Sequence, residues 1–352
     1  MVDLQLSGFL EKISKNILKE LCKSELFEAE RLSRNMNSED RINKEKPVIV
    51  IVGPTAVGKT ELSISLAKKI QGEIISADSM QIYRGMDIGT AKPPKRVREE
   101  ISHHMIDITN PDEEFSVAKF KDLAKAKLLE IKKRANIPIV VGGTGLYLNA
   151  LIYDYSLEDI PRDLNTREKL REKVEEKGSQ KLHEELSQLD PESAQKIHPN
   201  DVKRIIRALE VIYITGEAFS KYQQQTQKQN LSNTIMIGLT KNRDELYNKI
   251  EQRVDHMIEK GLVDEVKSLF EQGYDNSITS VQALGYKEIA SYLQGEISIE
   301  ESIRLIKKRT KRFAKRQLSW FKRDGNIYWY NLSKTNLYSV EKDILIMLQE
   351  YF

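Results

Sequence analysis

The residues with the most explicit chemistry are Gly53-Pro-Thr-Ala-Val-Gly-Lys-Thr60. They fit the G-x(4)-G-K-[ST] spacing, in which small residues let backbone N–H groups turn inward around phosphate oxygens. Gly53, Thr55, Ala56, Gly58, Lys59 and Thr60 are therefore expected to bind a diphosphate or triphosphate. Lys59 supplies a mobile cation and Thr60 a hydroxyl suited to Mg2+. Further on, Asp78 ends a short apolar run, and Gly142-Gly-Thr-Gly145 ends another. An acid in that place is able to position metal, act as a base or simply cap the following turn.

These groups need a scaffold that brings loops from distant parts of the chain together. Pro47–Val52 reads as a buried strand feeding the phosphate loop, and Glu61 onward as a helix. Gly72–Asp78 and Ile137–Val141 read as further strands, with a surface helix over Phe120–Lys133 between them. Alternating strands and helices predict an α/β fold, a P-loop NTPase-like parallel sheet with helices on both faces. In such sheets ligands sit beyond the carboxyl ends of the strands, so Asp78 and the Gly142–Gly145 loop are expected to converge on the P-loop.

From about 155 to 232 the character changes. Arg162–Leu189 is highly charged with leucines at helical spacing, and Val202–Tyr213 is strongly periodic, which predicts a helical insertion domain. A strand at Thr234–Leu239 returns to the sheet, followed by helices over Arg243–Gly261 and Val263–Phe270. The expected units are thus an N-terminal extension (1–45), a first core part (46–154), the insertion (155–232), core completion with basic helices (233–330) and a C-terminal tail with a helix (331–352). In the extension Leu10, Ile13, Ile17, Leu18 and Leu21 predict one amphipathic helix, and Ser33–Lys46 a linker. A docking arm and an appendage without separate function are both compatible with it.

The 352 residues carry a formal net charge of only +3, so an acidic partner must be met by a local patch. The best patch is at 301–323. Arg304, Lys308, Lys311 and Lys315 recur at spacings of four, three and four, a stripe along one helix face. Ile306, Phe313 and Trp320 are expected to bury on the opposite side. Cys22 is the single cysteine, which excludes an internal disulfide and a cysteine-based zinc site and suits a cytoplasmic compartment. No apolar run approaches the ~20 residues of a membrane span, and the N-terminus lacks a secretory pattern. The adjacent His103 and His104 would point to opposite faces of a strand, a structural pair rather than joint metal ligands.

A nucleotide kinase or GTPase is the first class a P-loop suggests. Its metal-holding acid after a strand is missing where Ile137–Val141 runs into glycine, and no Asn-Lys-x-Asp guanine-reading motif is present. P-loop donors recognise phosphate oxygens whatever they are attached to, so a diphosphate leaving group fits equally well.

The ordered blocks GPTAVGKT (53–60), ISADSMQIYRGMDIGTAKP (75–93), VGGTGLYLNAL (141–151), HPNDVKRIIRALEV (198–211), IEQRVDHMIEKGLVDEV (250–266), QALGYKEI (282–289) and TKRFAKRQLSWFKR (310–323) resemble the tRNA dimethylallyltransferases, or tRNA isopentenyltransferases, of bacterial type. That resemblance implies transfer of a dimethylallyl group from dimethylallyl diphosphate to N6 of adenosine 37, within the tRNA anticodon stem-loop, with Mg2+ as cofactor and no obligate protein partner. It implies Asp78 as catalytic base, Arg253 at the reacting centre and Thr144 near the acceptor nucleotide. Ser79, Gln81 and Tyr83 are expected around the adenosine, and Lys311, Arg312, Lys315, Arg316 and Gln317 on the tRNA. The zinc-finger tail of eukaryotic relatives is absent, and residues 1–45 have no counterpart in the compact bacterial form.

Overall fold

The computed structural model describes residues 46–153, 163–224, 233–274 and 280–351. The chain divides into a body, Pro47–Ile344, and a second unit formed by Met1–Lys46 with Leu345–Phe352. The expected N-terminal helix and linker lie outside the described residues, as does Cys22.

Six parallel strands form one sheet in the order β3-β2-β4-β1-β5-β6. They are β1 (Val48–Val52), β2 (Gly72–Ala77), β3 (His103–His104), β4 (Ile137–Gly142), β5 (Thr234–Thr240) and β6 (Ile327–Asn331). All of β1 is buried, as a central parallel strand covered on both faces requires. The helices of the first half are α1 (Lys59–Ile70), α2 (Lys95–Glu100), α3 (Val117–Lys133) and α4 (Gly145–Ile152). Ser116 caps α3 by accepting the Lys119 N–H, so the helix begins a little before the expected Phe120. The two-residue β3 coincides with the His103–His104 pair, whereas β6 was not foreseen although Ile327–Tyr330 is rich in strand-favouring residues.

The insertion consists of α5 (Leu164–Leu189), α6 (Pro191–Lys196), α7 (Val202–Thr215) and α8 (Phe219–Gln224). Its own apolar cluster includes Leu170, Leu182, Leu186, Ile205 and Leu209. The predicted long helix is broken at Gly178, where φ is 79° and ψ 160°. Lys173 pairs with Glu185 across that break. Twelve residues of straight helix would hold those groups roughly 18 Å apart, so the chain must double back there.

The second half adds α9 (Arg243–Glu259), α10 (Leu262–Glu271), α11 (Tyr286–Leu293), α12 (Ile299–Phe321) and α13 (Leu337–Gln349). One surface of α12 is buried through Ser302, Ile306, Thr310, Ala314, Gln317 and Phe321. This corrects the expected apolar side: Ile306 is buried, but Phe313 and Trp320 are 37% and 42% exposed. Azimuth alone does not decide this, since Trp320 lies about five turns along the same line as the fully buried Ser302, and Phe313 is exposed where it borders two cavities.

At the amino end of β2, away from the strand ends that carry the P-loop, the buried Glu73 carboxylate accepts hydrogen bonds from Arg134 (2.8 and 3.0 Å) and Asn136 (2.8 Å) and meets His104 Nε2 at 2.7 Å. Burial opposes its ionisation, and these partners outweigh burial and lower its pKa to about 2. A carboxylate held below its unfolded value stabilises the fold above the unfolded pKa, and that contribution is lost as pH falls through the folded one. Glu73→Gln is therefore expected to cost about 2 kcal/mol near neutrality. Urea denaturation should show the gap to the parent closing between about pH 4.5 and 2.

Candidate active site at the strand ends

The P-loop joins β1 to α1, and its amides surround the amino terminus of a helix, a place that favours anions. Gly58 takes a φ of 112° and Ala56 one of 64°, left-handed conformations that turn the loop back on itself. Lys59 Nζ donates to the carbonyls of Gly53 (2.9 Å) and Pro54 (2.8 Å). Burial, and next the positive charge of Arg253, lower its pKa to about 7 against the opposing pull of Asp78. Arg253 is itself lowered by burial and raised by Asp78. Two cations thus share one carboxylate out of bulk water.

Asp78 follows β2, and its Oδ1 accepts the Met80 N–H at 2.9 Å. The turn-capping role and a chemical role are compatible, because one oxygen anchors the carboxylate and so orients it. Arg253 lies three and seven residues from the buried Ile250 and Leu246, which places it along the inward face of α9. Thr144 Oγ1 accepts from the Ser79 N–H (3.1 Å) and lies 3.4 Å from its hydroxyl, tying the loop after β4 to the loop after β2.

Two cavities meet at these residues. One, about 640 Å3 with its mouth, is lined by Lys59, Thr60, Ser76, Gln81, His103 and Gln317 among others. The second, about 1000 Å3, is more apolar, with Met80, Val254, Met257, Leu284, Tyr286 and Ile306 in its wall beside Ser79, Thr90 and Thr144. Thr55, Asp78, Arg253 and Phe313 line both. The carboxylate and guanidinium therefore stand where a group on the P-loop side faces a group entering the other cavity.

Several expected residues fall elsewhere. Tyr83 is packed in the main core and lines neither cavity. Gln317, expected on nucleic acid, is only 6% exposed. Its Oε1 accepts the Thr55 N–H (2.9 Å) and its Nε2 donates to the Gly143 carbonyl (3.0 Å). It bolts the P-loop to the loop after β4, and a Cβ at residue 143 would lie 2.1 Å from that amide nitrogen. Gln81 is held by Ser76 Oγ and donates to the Thr90 carbonyl. Lys311 pairs with Glu251 and lies over the Tyr247 ring, and Arg304 is bidentate to Glu301. Lys308, Arg312, Lys315 and Arg316 are exposed on α12, with Arg316 over Phe313. The His103 and His104 side chains diverge as expected, but His103 enters the wall of the first cavity. Sequence reasoning also missed Phe313 and Tyr286 as cavity residues, although the strings containing them had been singled out.

Oxygen donors dominate the metal question. Among the described residues no three His, Cys, Asp or Glu side chains cluster to hold an ion. Thr60 lines the first cavity, a single hydroxyl that suits Mg2+ completed by phosphate oxygens and water.

A model of the IPP transferase family matches residues 81–324. The chain belongs to that family. A tRNA dimethylallyltransferase of Natranaerobius thermophilus is 49% identical over 92% of this chain and 96% of its own length. One from Acetivibrio thermocellus is 52% identical over 81% and 91%. The crystal structure of a tRNA isopentenylpyrophosphate transferase from Bacillus halodurans matches with a TM-score of 0.65 at 46% identity, covering 88% of this chain and 98% of that one. A eukaryotic dimethylallyltransferase solved acting on tRNA matches with a TM-score of 0.70 at 32% identity, over 86% and 78%. Both the P-loop and the second cavity's α11 wall lie in the span shared with the Natranaerobius relative.

The Gln317 bridge generates a direct expectation. Gln317→Ala removes two partly or fully buried hydrogen bonds, each worth about 1 kcal/mol, and frees the P-loop from its neighbour. Affinity for inorganic diphosphate, measured by calorimetry, should fall about tenfold or more, with thermal stability changed little beyond those two bonds.

Proposed function

We propose that this protein transfers the dimethylallyl group of dimethylallyl diphosphate to N6 of adenosine 37 in tRNA, releasing diphosphate. The observation that carries the reading is the shared wall: Asp78 and Arg253 border both the P-loop cavity and the apolar cavity. A donor whose diphosphate lies on the P-loop would present its allylic carbon at that junction, and an extruded adenosine would approach through the second cavity.

At the junction the N6 nitrogen forms a bond to the allylic carbon while the carbon–oxygen bond breaks. The electron pair of that bond leaves with the diphosphate. Lys59, the P-loop amides and Arg253 stabilise the charge that develops there. The amine proton passes to Asp78, whose Oδ1 anchor on Met80 N–H fixes its direction. Thr60 is the residue that would hold Mg2+, completed by phosphate oxygens and water, and the ion would supply charge neutralisation at the phosphate oxygens. Ser79, Thr144 and Thr90 offer polar contacts in the acceptor cavity, and Gln81 backs the loop between the two cavities. Tyr83 supports that loop from the core.

The anticodon stem-loop would rest against α12, with Lys308, Arg312, Lys315 and Arg316 meeting phosphates and Lys311 contributing from its pair with Glu251. The units 46–154 and 233–330 form the chemical core, 155–232 a helical insertion that contacts the tRNA, and the 331–352 tail begins inside β6 and carries α13. A cytoplasmic site of action fits, and no described helix is long and apolar enough to cross a membrane.

The central test is single-turnover transfer from labelled dimethylallyl diphosphate to tRNA, with nucleoside mass analysis locating the product. The parent should label adenosine 37, and failure to do so with Mg2+ present overturns the assignment. Asp78→Asn keeps the acceptor for Met80 N–H but removes the base, so transfer should slow by about 100- to 10,000-fold while both substrates still bind.

A separate expectation concerns the surface. Charge reversal at Lys308 and Lys315, which are exposed, should weaken tRNA binding and flatten its dependence on salt. The same change at Arg304, already bidentate to Glu301, should do less, as filter binding across a salt series would show.

A further inference from the structure

The Met86–Pro93 segment forms part of both cavity walls: Gly89 and Thr90 face the second, Ala91 and Pro93 the first. Internally it is a tight double turn. Thr90 Oγ1 donates to the Met86 carbonyl at 2.6 Å, and the Ala91 and Lys92 amides donate back to Ile88 and Asp87 at 3.0 Å. That geometry turns three successive amides, at 87, 88 and 89, outward on one side, the kind of concavity that holds an anion.

The anion is a side chain. Glu265 on α10, more than 170 residues away in sequence, places Oε2 at 3.0 Å from the Asp87 amide and 2.7 Å from the Ile88 amide. Its Oε1 lies 3.1 Å from the Gly89 amide and 2.6 Å from the Tyr286 hydroxyl. Tyr286, fully buried at the start of α11, lines the same cavity and packs directly against the turn. Burial, and then the Glu265 charge, push its pKa well up, so the hydroxyl stays a donor. Gly89 is packed so tightly there that a Cβ would lie 2.4 Å from the Tyr286 ring. Glu265 lines neither of the two cavities.

We propose that Glu265 is a positioning residue for the acceptor cavity: by holding the 87–89 amides and the Tyr286 hydroxyl on one carboxylate, it fixes the separation of the two walls between which the adenosine enters. The inference rests on the functional reading above. A latch of this kind acts on one substrate. The donor side of the turn is held independently, by Gln81 Nε2 on the Thr90 carbonyl and by Lys92 Nζ between Asp87 and the Tyr83 carbonyl. Loosening Glu265 therefore widens the acceptor cavity and leaves the P-loop in place.

Glu265→Gln is the informative variant, because an amide offers one acceptor oxygen where four donors converge and turns an N–H2 group toward at least one of them. The KM for tRNA should rise about tenfold, with the KM for dimethylallyl diphosphate within about twofold of the parent. Tyr286→Phe, which keeps the ring against Gly89 and the three amides on the carboxylate but cuts the carboxylate's tie to α11, should raise the tRNA KM in the same direction by a smaller factor, about threefold, with the KM for dimethylallyl diphosphate unchanged. Hydrogen exchange on the same proteins should show the 86–93 amides of Glu265→Gln losing protection while the P-loop segment 53–60 keeps it. An unchanged tRNA KM, or a parallel rise in both KM values, overturns the proposal, and so does unaltered exchange at 86–93. A parent protein that fails to transfer the alkyl group refutes the functional reading instead, while the exchange comparison still decides whether Glu265 holds the turn.

Discussion

Two half-buried cations arranged around one carboxylate are the constraint on which the site depends. Lys59 and Arg253 repel each other through a medium that screens poorly, and Asp78 only partly offsets them. The arrangement leaves an excess of positive charge at the P-loop, together with inward amides and a helix terminus. A diphosphate brings the negative charge that this arrangement lacks. In the proposed reaction the same field would become more favourable as the carbon–oxygen bond breaks and charge accumulates on the departing group, so it would act on the transition state more than on the bound donor.

Holding such a charge cluster together requires rigid loops, and the structure supplies side-chain bolts between segments far apart in sequence. Gln317 joins the P-loop to the loop after β4, Thr144 joins that loop to Ser79, and Glu265 gathers the 87–89 turn. Each bolt uses backbone groups that would otherwise lack partners at a buried strand end. The sheet contributes by register: β2, β4 and β1 are in parallel contact, so their carboxyl ends open side by side. The three loops that matter emerge within reach of each other for that reason.

The helical face proposed to meet nucleic acid follows different rules. On α12 the buried seam sets which residues can face solvent, and acidic neighbours then decide which cations remain available. Arg304 and Lys311 are engaged by Glu301 and Glu251, whereas Lys308, Arg312, Lys315 and Arg316 project from the exposed face. A basic stripe read from spacing alone counts charges without subtracting these pairs. Phe313, placed by spacing in the buried seam, instead reaches the junction of the two cavities.

Sequence by itself determined what local rules govern. The phosphate loop follows from glycine, lysine and threonine at fixed spacing after an apolar strand, and the parallel α/β order follows from alternating periodicities, because both are written within a dozen consecutive residues. The motif blocks pointed to Asp78, Arg253 and Thr144, and the fold gathers all three. Tertiary structure alone decided what lies between segments. It sent Gln317 inward to the P-loop, put Tyr83 in the core, drew His103 into a cavity wall and brought Glu265 to the 87–89 amides. Glu265 and Gln317 reach across 176 to 178 and 262 residues of chain, and no periodicity or short-range spacing encodes a contact whose partner is fixed only when the sheet closes.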